Sequence, residues 1–155
     1  CGSSHCGTCQ LISTATSIPV NNQRIRLSTG TCTSYNVVYL FSCKLCQQCY
    51  VGRTVQQLRA RVNEHRAHFY KLISDPTLKP DDTDDGYSLG RHLVEAHNLN
   101  RRSDFNTSYN LAILCNSSPK SLDIDEHKYI QKLRTIKPYG LNAVDPFGIP
   151  LLDDT

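Results

Sequence analysis

Apolar positions fall into different patterns along this chain, and each pattern predicts an element. Asn36 to Ser42 (NVVYLFS) is a short β-branched and aromatic run, which predicts a buried strand. Tyr50 to Arg53 predicts a second short strand. Asp104 to Cys115, in which Tyr109, Leu111, Ile113 and Cys115 alternate, predicts a third. Leu58, Val62, Phe69 and Leu72 make one stripe of a helix over Thr54 to Leu72, with Thr54 and Gln57 as a T-x-x-Q capping box. Ser88 to His97 predicts a short helix stopped by Asn98. Ser118-Pro119 reads as an N-cap followed by Pro at the first helical position; this last helix runs to about Arg134 and is ended by Pro138-Tyr139-Gly140. Asn22 to Leu27 could form one more strand, and Asp75 to Tyr87 is a Pro- and Asp-rich loop. The first two core strands are too close for a crossover helix, so they must be antiparallel. The expected fold class is α+β, a small antiparallel three-stranded sheet flanked by helices. An N-terminal Cys-rich arm covers 1–35, the main domain 36–142 and a loop-like tail 143–155; no internal repeat is visible.

At 155 residues the chain can bury a real core as one domain with a short appended module. Hydrophobic residues at 39% and charged residues at 20% exclude wholesale disorder and coiled coil. No apolar run approaches bilayer length, so no membrane partner is expected. The chain begins at Cys1, contains no Met and shows no signal peptide, so it is expected to be a segment of a longer protein. The net charge is +3, but Asp81, Asp82, Asp84 and Asp85 sit in one stretch. Without them 10 acidic residues face 17 basic ones, a balance of +7 that suits a polyanionic partner.

Eight cysteines change the picture further. Cys6-Gly-Thr-Cys9 and Cys43-Lys-Leu-Cys46 are CxxC pairs, which put two thiolates on one turn at a reach suited to a tetrahedral ion; Cys49 extends the second pair. Zinc is favoured over disulfides, and a disulfide-rich secreted domain is the alternative.

Some polar residues stand where burial is expected. Glu126 falls inside the stripe of Leu122, Tyr129, Ile130 and Leu133. A carboxylate there needs a cation or several donors, so it either pairs with an Arg or binds a metal. His65 lies within the stripe of the long helix with Arg61 on its flank, and guanidinium and imidazole at i, i+4 can grip a phosphate. Arg59 and Arg66 fall on the opposite flank, where they are expected to be solvated. Tyr39 and Tyr50 flank the cysteine knuckle, and Gly52 suits a strand end closely approached by something else. Asp81, Thr83, Asp85 and Gly86 imitate the start of an EF-hand loop. The twelfth position is His92 rather than Glu, so a solvated loop is expected there.

Val37-Val38-Tyr39, then after ten residues Tyr50-Val51-Gly52, then a helix bearing Arg61, then Glu126 and Gly140-Leu141-Asn142: this order resembles the GIY-YIG nuclease family over about residues 36–142. Cys43 and Cys46 between the two Tyr motifs, with His92 and His97 later, resemble the endonuclease domain of Penelope-like retroelements, which carries a Cys-Cys-His-His zinc site as an insertion. Cys1, Cys6, Cys9 and Cys32 resemble the linker upstream of that domain, which follows a reverse transcriptase. The first motif departs from the family in having Val37 and Val38 where Gly and Ile are usual. Arg61 also lies one residue further from Tyr50 than in bacterial members, and Cys49 is not a usual ligand position.

The resemblance implies a metal-dependent DNA endonuclease that nicks target DNA and supplies a 3′ hydroxyl for target-primed reverse transcription. Tyr39 would be the general base or a water-orienting phenol, and Arg61 would hold the scissile phosphate. Glu126 would bind Mg2+ or Mn2+, Tyr50 and His65 would line the pocket, and Asn142 would support the site. Cys43, Cys46, His92 and His97 would hold a structural Zn2+ with no open position, and Cys1, Cys6, Cys9 and Cys32 could bind a second. Implied partners are DNA, the reverse transcriptase domain of the same polypeptide and the element RNA, in the nucleus. Two alternatives are a catalytically inactive zinc module that binds nucleic acid, and a free-standing repair or homing nuclease of the same fold.

Overall fold

A computed structural model describes residues 1–151, so residues 152–155 of the expected tail lie outside the described residues. The chain is α+β around a three-stranded antiparallel sheet. Its centre is β3 (Val37–Cys43), with β4 (Cys49–Thr54) on one side and β5 (Tyr109–Asn116) on the other. Strand parity sorts the core into two faces. Val37, Tyr39, Phe41 and Cys43 pack with residues of α1 (Leu58–Ser74), α2 (Ser88–His97) and α3 (Asp104–Ser108). Val38, Leu40 and Val51 pack against Leu122, Ile130 and Leu133 of α4 (Leu122–Leu133). Covering on both faces explains why Val37 to Phe41 is continuously apolar rather than alternating. A β-bulge opposite Val38 and Tyr39 shifts the register against β5. No helix among the described residues is long and apolar enough to cross a membrane.

Three boundaries differ from the sequence expectation; one is the start of α4, which begins at Leu122 with Ser121 at its N-cap rather than at Pro119 after Ser118. Thr54 does not cap a helix; it pairs with Val37 in the sheet, and its hydroxyl accepts the Gln56 N–H at 3.0 Å. The first amides of α1 instead donate to the arm, Leu58 N–H to Ser34 O at 2.9 Å and Arg59 N–H to Cys32 O at 2.7 Å. The stretch expected as a strand from Asp104 begins as α3 and becomes strand only at Tyr109, where the alternation starts. In the arm, the strand expected over Asn22 to Leu27 does form, and it has a partner strand that the sequence did not indicate. The two make a hairpin of β1 (Ser17–Val20) and β2 (Gln23–Arg26), turned by Asn21 and Asn22 at φ 46° and 65°. Val20 and Ile25 of this hairpin join the α4 face of the core. The stop at Asn98 is as expected: φ is 54°, and Leu99 N–H reaches back to Leu93 O at 3.0 Å.

Candidate functional site

The two helical layers meet along the free edge of β4, and a pocket of about 390 Å³ opens there. Tyr50 and Arg53 come from the strand, Arg61 from α1 and Glu126 from α4; Asp85, Val144 and Pro146 complete the wall. Tyr50, Arg61 and Glu126, far apart in sequence, are therefore brought to one concave surface.

Glu126 is 8% exposed, and burial pushes its carboxyl up to about 7, partly offset by the nearby Arg53 guanidinium. Arg53 Nε lies 2.9 Å from Glu126 Oε2 and 2.6 Å from Asp123 Oδ1. Arg53 was not singled out from sequence, although parity could have found it. It shares its face of β4 with Val51, the face that α4 and its one buried acid cover. Arg61 donates from Nη1 to Glu64 Oε2 at 2.6 Å, while its buried Nε has no hydrogen-bond partner among the described residues.

Tyr39 and His65 do not line the pocket. Both lie fully buried beneath it, with Tyr39 Oη 2.8 Å from His65 Nε2. Burial pushes the Tyr39 phenol well above its ordinary range, partly countered by the neighbouring Arg61, and holds His65 neutral at about 3. Gly52 makes this arrangement possible: it pairs with Tyr39 across the sheet, and a Cβ on it would come within 2.5 Å of the Tyr39 ring and hydroxyl. Gly52→Ala is accordingly expected to cost about 1–3 kcal/mol through overpacking, read as a lower urea midpoint with an unchanged m-value.

Asn142 is fully buried and acts as a surrogate strand on the β4 edge. Its Oδ1 accepts the Val51 N–H at 2.9 Å and its Nδ2 donates to Val51 O at 2.8 Å, while Thr135 Oγ1 donates to the same Oδ1 at 2.7 Å. It supports Tyr50 and Gly52 from the strand between them. Asp85 departs from expectation: instead of standing in a solvated loop, it is half-buried at the pocket wall and accepts the Ala143 N–H at 2.6 Å. Arg66 departs too. It is half-buried, over the Phe105 ring at 5.6 Å and bonded to Asn106 at 3.1 Å.

No protein-family model, no curated protein and no solved structure matches this chain. What its sites can hold therefore rests on their own chemistry.

The Sγ and Nε2 atoms of Cys43, Cys46, His92 and His97 all lie within 4.8 Å of one another. Cys43 Sγ to His97 Nε2 is 3.5 Å, Cys46 Sγ to His92 Nε2 is 3.3 Å, and the two Nε2 atoms are 3.1 Å apart. A tetrahedral zinc with ordinary bond lengths has S–N edges of about 3.5 Å and N–N edges of about 3.3 Å. Burial, with His97 and Lys137 nearby, holds His92 neutral at about 4, the protonation state a ligand requires. Cys1, Cys6, Cys9 and Cys32 form a second group, with Sγ separations of 3.8 Å for Cys1–Cys9 and Cys6–Cys32. Those separations are far from a disulfide bond, and all eight cysteines are free. Both groups can hold a metal ion such as zinc. Cys49 belongs to neither, and Cys115 is a partly buried free thiol.

Proposed function

We propose that this chain is a GIY-YIG-type DNA endonuclease of the Penelope-like kind, nicking target DNA to supply a 3′ hydroxyl for reverse transcription. The observation that carries the reading is one pocket lined by the Arg61 guanidinium, Tyr50 and the carboxyl of Glu126, which burial raises to about 7. A phosphodiester needs both a fixed cation for its nonbridging oxygens and an anionic group for a metal, and here one cleft offers both.

In this reading Arg61 binds the scissile phosphate and offsets charge as it develops. Glu126 holds Mg2+ or Mn2+, which when bound supplies Lewis-acid stabilisation of the leaving 3′ oxygen. Tyr50 forms the floor, and Asn142 keeps the strand beneath it straight. Tyr39 is read here as a positioning group: it is fully buried, and its hydroxyl lies 2.8 Å from His65 Nε2 and close to the Arg61 guanidinium. Tyr39→Phe is therefore expected to slow nicking by about ten- to a hundredfold without moving the pH profile. Removing a general base at this position would instead abolish the rise in rate with pH on the acid limb. Zn2+ at both cysteine groups is structural, since four protein ligands leave no open position. Partners in this reading are DNA, an upstream reverse transcriptase domain and the element RNA, in the nucleus.

The ion pair of Arg53 with Glu126 favours a second reading, a zinc module that binds nucleic acid and in which Glu126 is only an internal counter-ion. A plasmid-nicking assay with and without Mg2+, alongside Glu126→Gln, separates the two.

A further inference from the structure

Asp85 sits at the start of a single helical turn, Asp85–Tyr87, that leads directly into α2. Its Oδ1 accepts the Ala143 N–H at 2.6 Å and the Ser88 hydroxyl at 3.2 Å. Ala143 follows Asn142, and Leu141 N–H donates to Cys49 O at 2.9 Å, so the segment 141–143 bridges β4 and the entrance of α2. The next residues, Val144 and Pro146, are pocket wall.

We infer that Asp85 is a positioning residue of this pocket: through Ala143 it ties the pocket wall to α2, the helix that brings His92 and His97 to the metal cluster. The inference rests on the endonuclease reading for its effect on nicking, but not for its effect on the backbone.

Four observations carry it. The helix side of the tie is rigid. The Tyr87 and His68 rings are 4.4 Å apart, a Cβ on Gly90 would come within 2.8 Å of Phe69 Cα, and Tyr109 Oη donates to Leu89 O at 2.7 Å. The wall side is a loop held at two points, by Asp85 at Ala143 and by Asp145, which lies 2.6 Å from His127 Nδ1 and accepts the Phe147 N–H at 2.8 Å. Val144 stands between those two points. Asp85 has no ion-pair partner among the described residues, so its part here is that of an acceptor oxygen rather than of a counter-charge. The ring closes at its far end where Cys43 and Cys46, on the β3–β4 turn, meet His92 and His97. Metal at that cluster and Asp85 at the pocket thus fasten the same helix to β4 by two routes, one through the β3–β4 turn and one through the segment 141–143.

The test compares Asp85→Ala with Asp85→Asn in the whole zinc-loaded chain. Two readouts are taken, amide hydrogen exchange at 143–146 and the nicking rate as Mg2+ is varied. Asp85→Ala is expected to speed exchange at 143–146 by about tenfold or more. It should also slow nicking by about ten- to a hundredfold at saturating Mg2+ without raising the Mg2+ required. Asp85→Asn keeps an acceptor oxygen and should restore both to within about threefold of wild type. The inference is overturned if Asp85→Ala exchanges like wild type. It is equally overturned if Asp85→Asn is as impaired as Asp85→Ala, or if either variant demands more Mg2+, since the charge would then be what matters. If wild type itself does not nick, the endonuclease reading fails, and the exchange comparison still decides the role of Asp85.

Discussion

Removing metal from the Cys43–Cys46–His92–His97 group is expected to cause the largest loss of stability available to this chain. The group joins the β3–β4 turn to α2, and α2 is ten residues long with only Leu89 and Leu93 as large apolar residues fully in the core. A helix that short is not stable on propensity alone. Without the ion, Cys43 remains as a fully buried thiol and His92 and His97 as neighbouring imidazoles with Nε2 atoms 3.1 Å apart. Structural zinc contributes about 10–16 kcal/mol in small fingers; here much of the sheet core survives without it, and a loss of about 4 kcal/mol is a reasonable scale. For a domain of this size that corresponds to a melting temperature about 10 °C lower. Cys43→Ser and treatment with a strong chelator should give this shift alike, and metal analysis of Cys43→Ser should show one equivalent fewer than wild type. Cys9→Ser, in the arm group, should lose an equivalent with a smaller thermal cost, because the arm is also held by Ser34 and Cys32 carbonyls at α1 and by the hairpin. Purified protein that carries no zinc, and whose mass is lower by hydrogen pairs under non-reducing conditions, would sink this prediction.

How much of this was legible in the residues depends on the range of the interaction. The buried centre of the sheet was legible because five apolar residues in a row, Val37 to Phe41, leave few options. The end of α2 was legible because Asn98 tolerates a left-handed conformation. The start of α1 was not, because Thr54 and Gln57 satisfy a local rule that sheet pairing with Val37 overrides, and the donors that needed capping found carbonyls of the arm instead. The anomaly at Glu126 was legible from helical spacing alone, and of the two partners it called for, an arginine or a metal, the structure shows the arginine: Arg53 is at hydrogen-bond distance. Which Arg would pair was not legible without knowing that α4 covers the Val51 face. Asp85 was hidden for a different reason. Four acids in a Pro-rich stretch look uniformly solvated, and only the fold distinguishes the one whose oxygen meets the Ala143 amide. The burial of Tyr39 follows from the buried strand that its run predicts, but the pairing of its hydroxyl with His65 beneath the pocket was out of reach, because it depends on how α1 packs on the sheet.

Glu126→Gln is expected to reduce Mg2+-dependent nicking by at least about a hundredfold, the scale seen when one group that stabilises transition-state charge is removed. The fold should remain intact. Gln retains an oxygen for Arg53, and Asp123 still meets Arg53 Nε at 2.6 Å, so the guanidinium is not left unpaired. The pH dependence gives an independent check. The Glu126 carboxyl is raised from 4.5 to about 7, chiefly by burial. Between those values the folded chain binds a proton that the unfolded chain has released, so stability from this group is full below pH 4.5 and falls as pH rises to about 7. Gln does not titrate, so without added Mg2+ the variant should match wild type in melting temperature near pH 4.5 and exceed it at pH 8. Arg61→Ala should also cripple nicking, yet lose less in DNA binding, because Arg101 and Arg102 remain to hold phosphates without regard to sequence. One outcome decides for the binding module. If wild type binds DNA but does not nick it with Mg2+, and Glu126→Gln unfolds, then Glu126 serves the Arg53 ion pair, and the pocket at the β4 edge does not cut phosphodiesters.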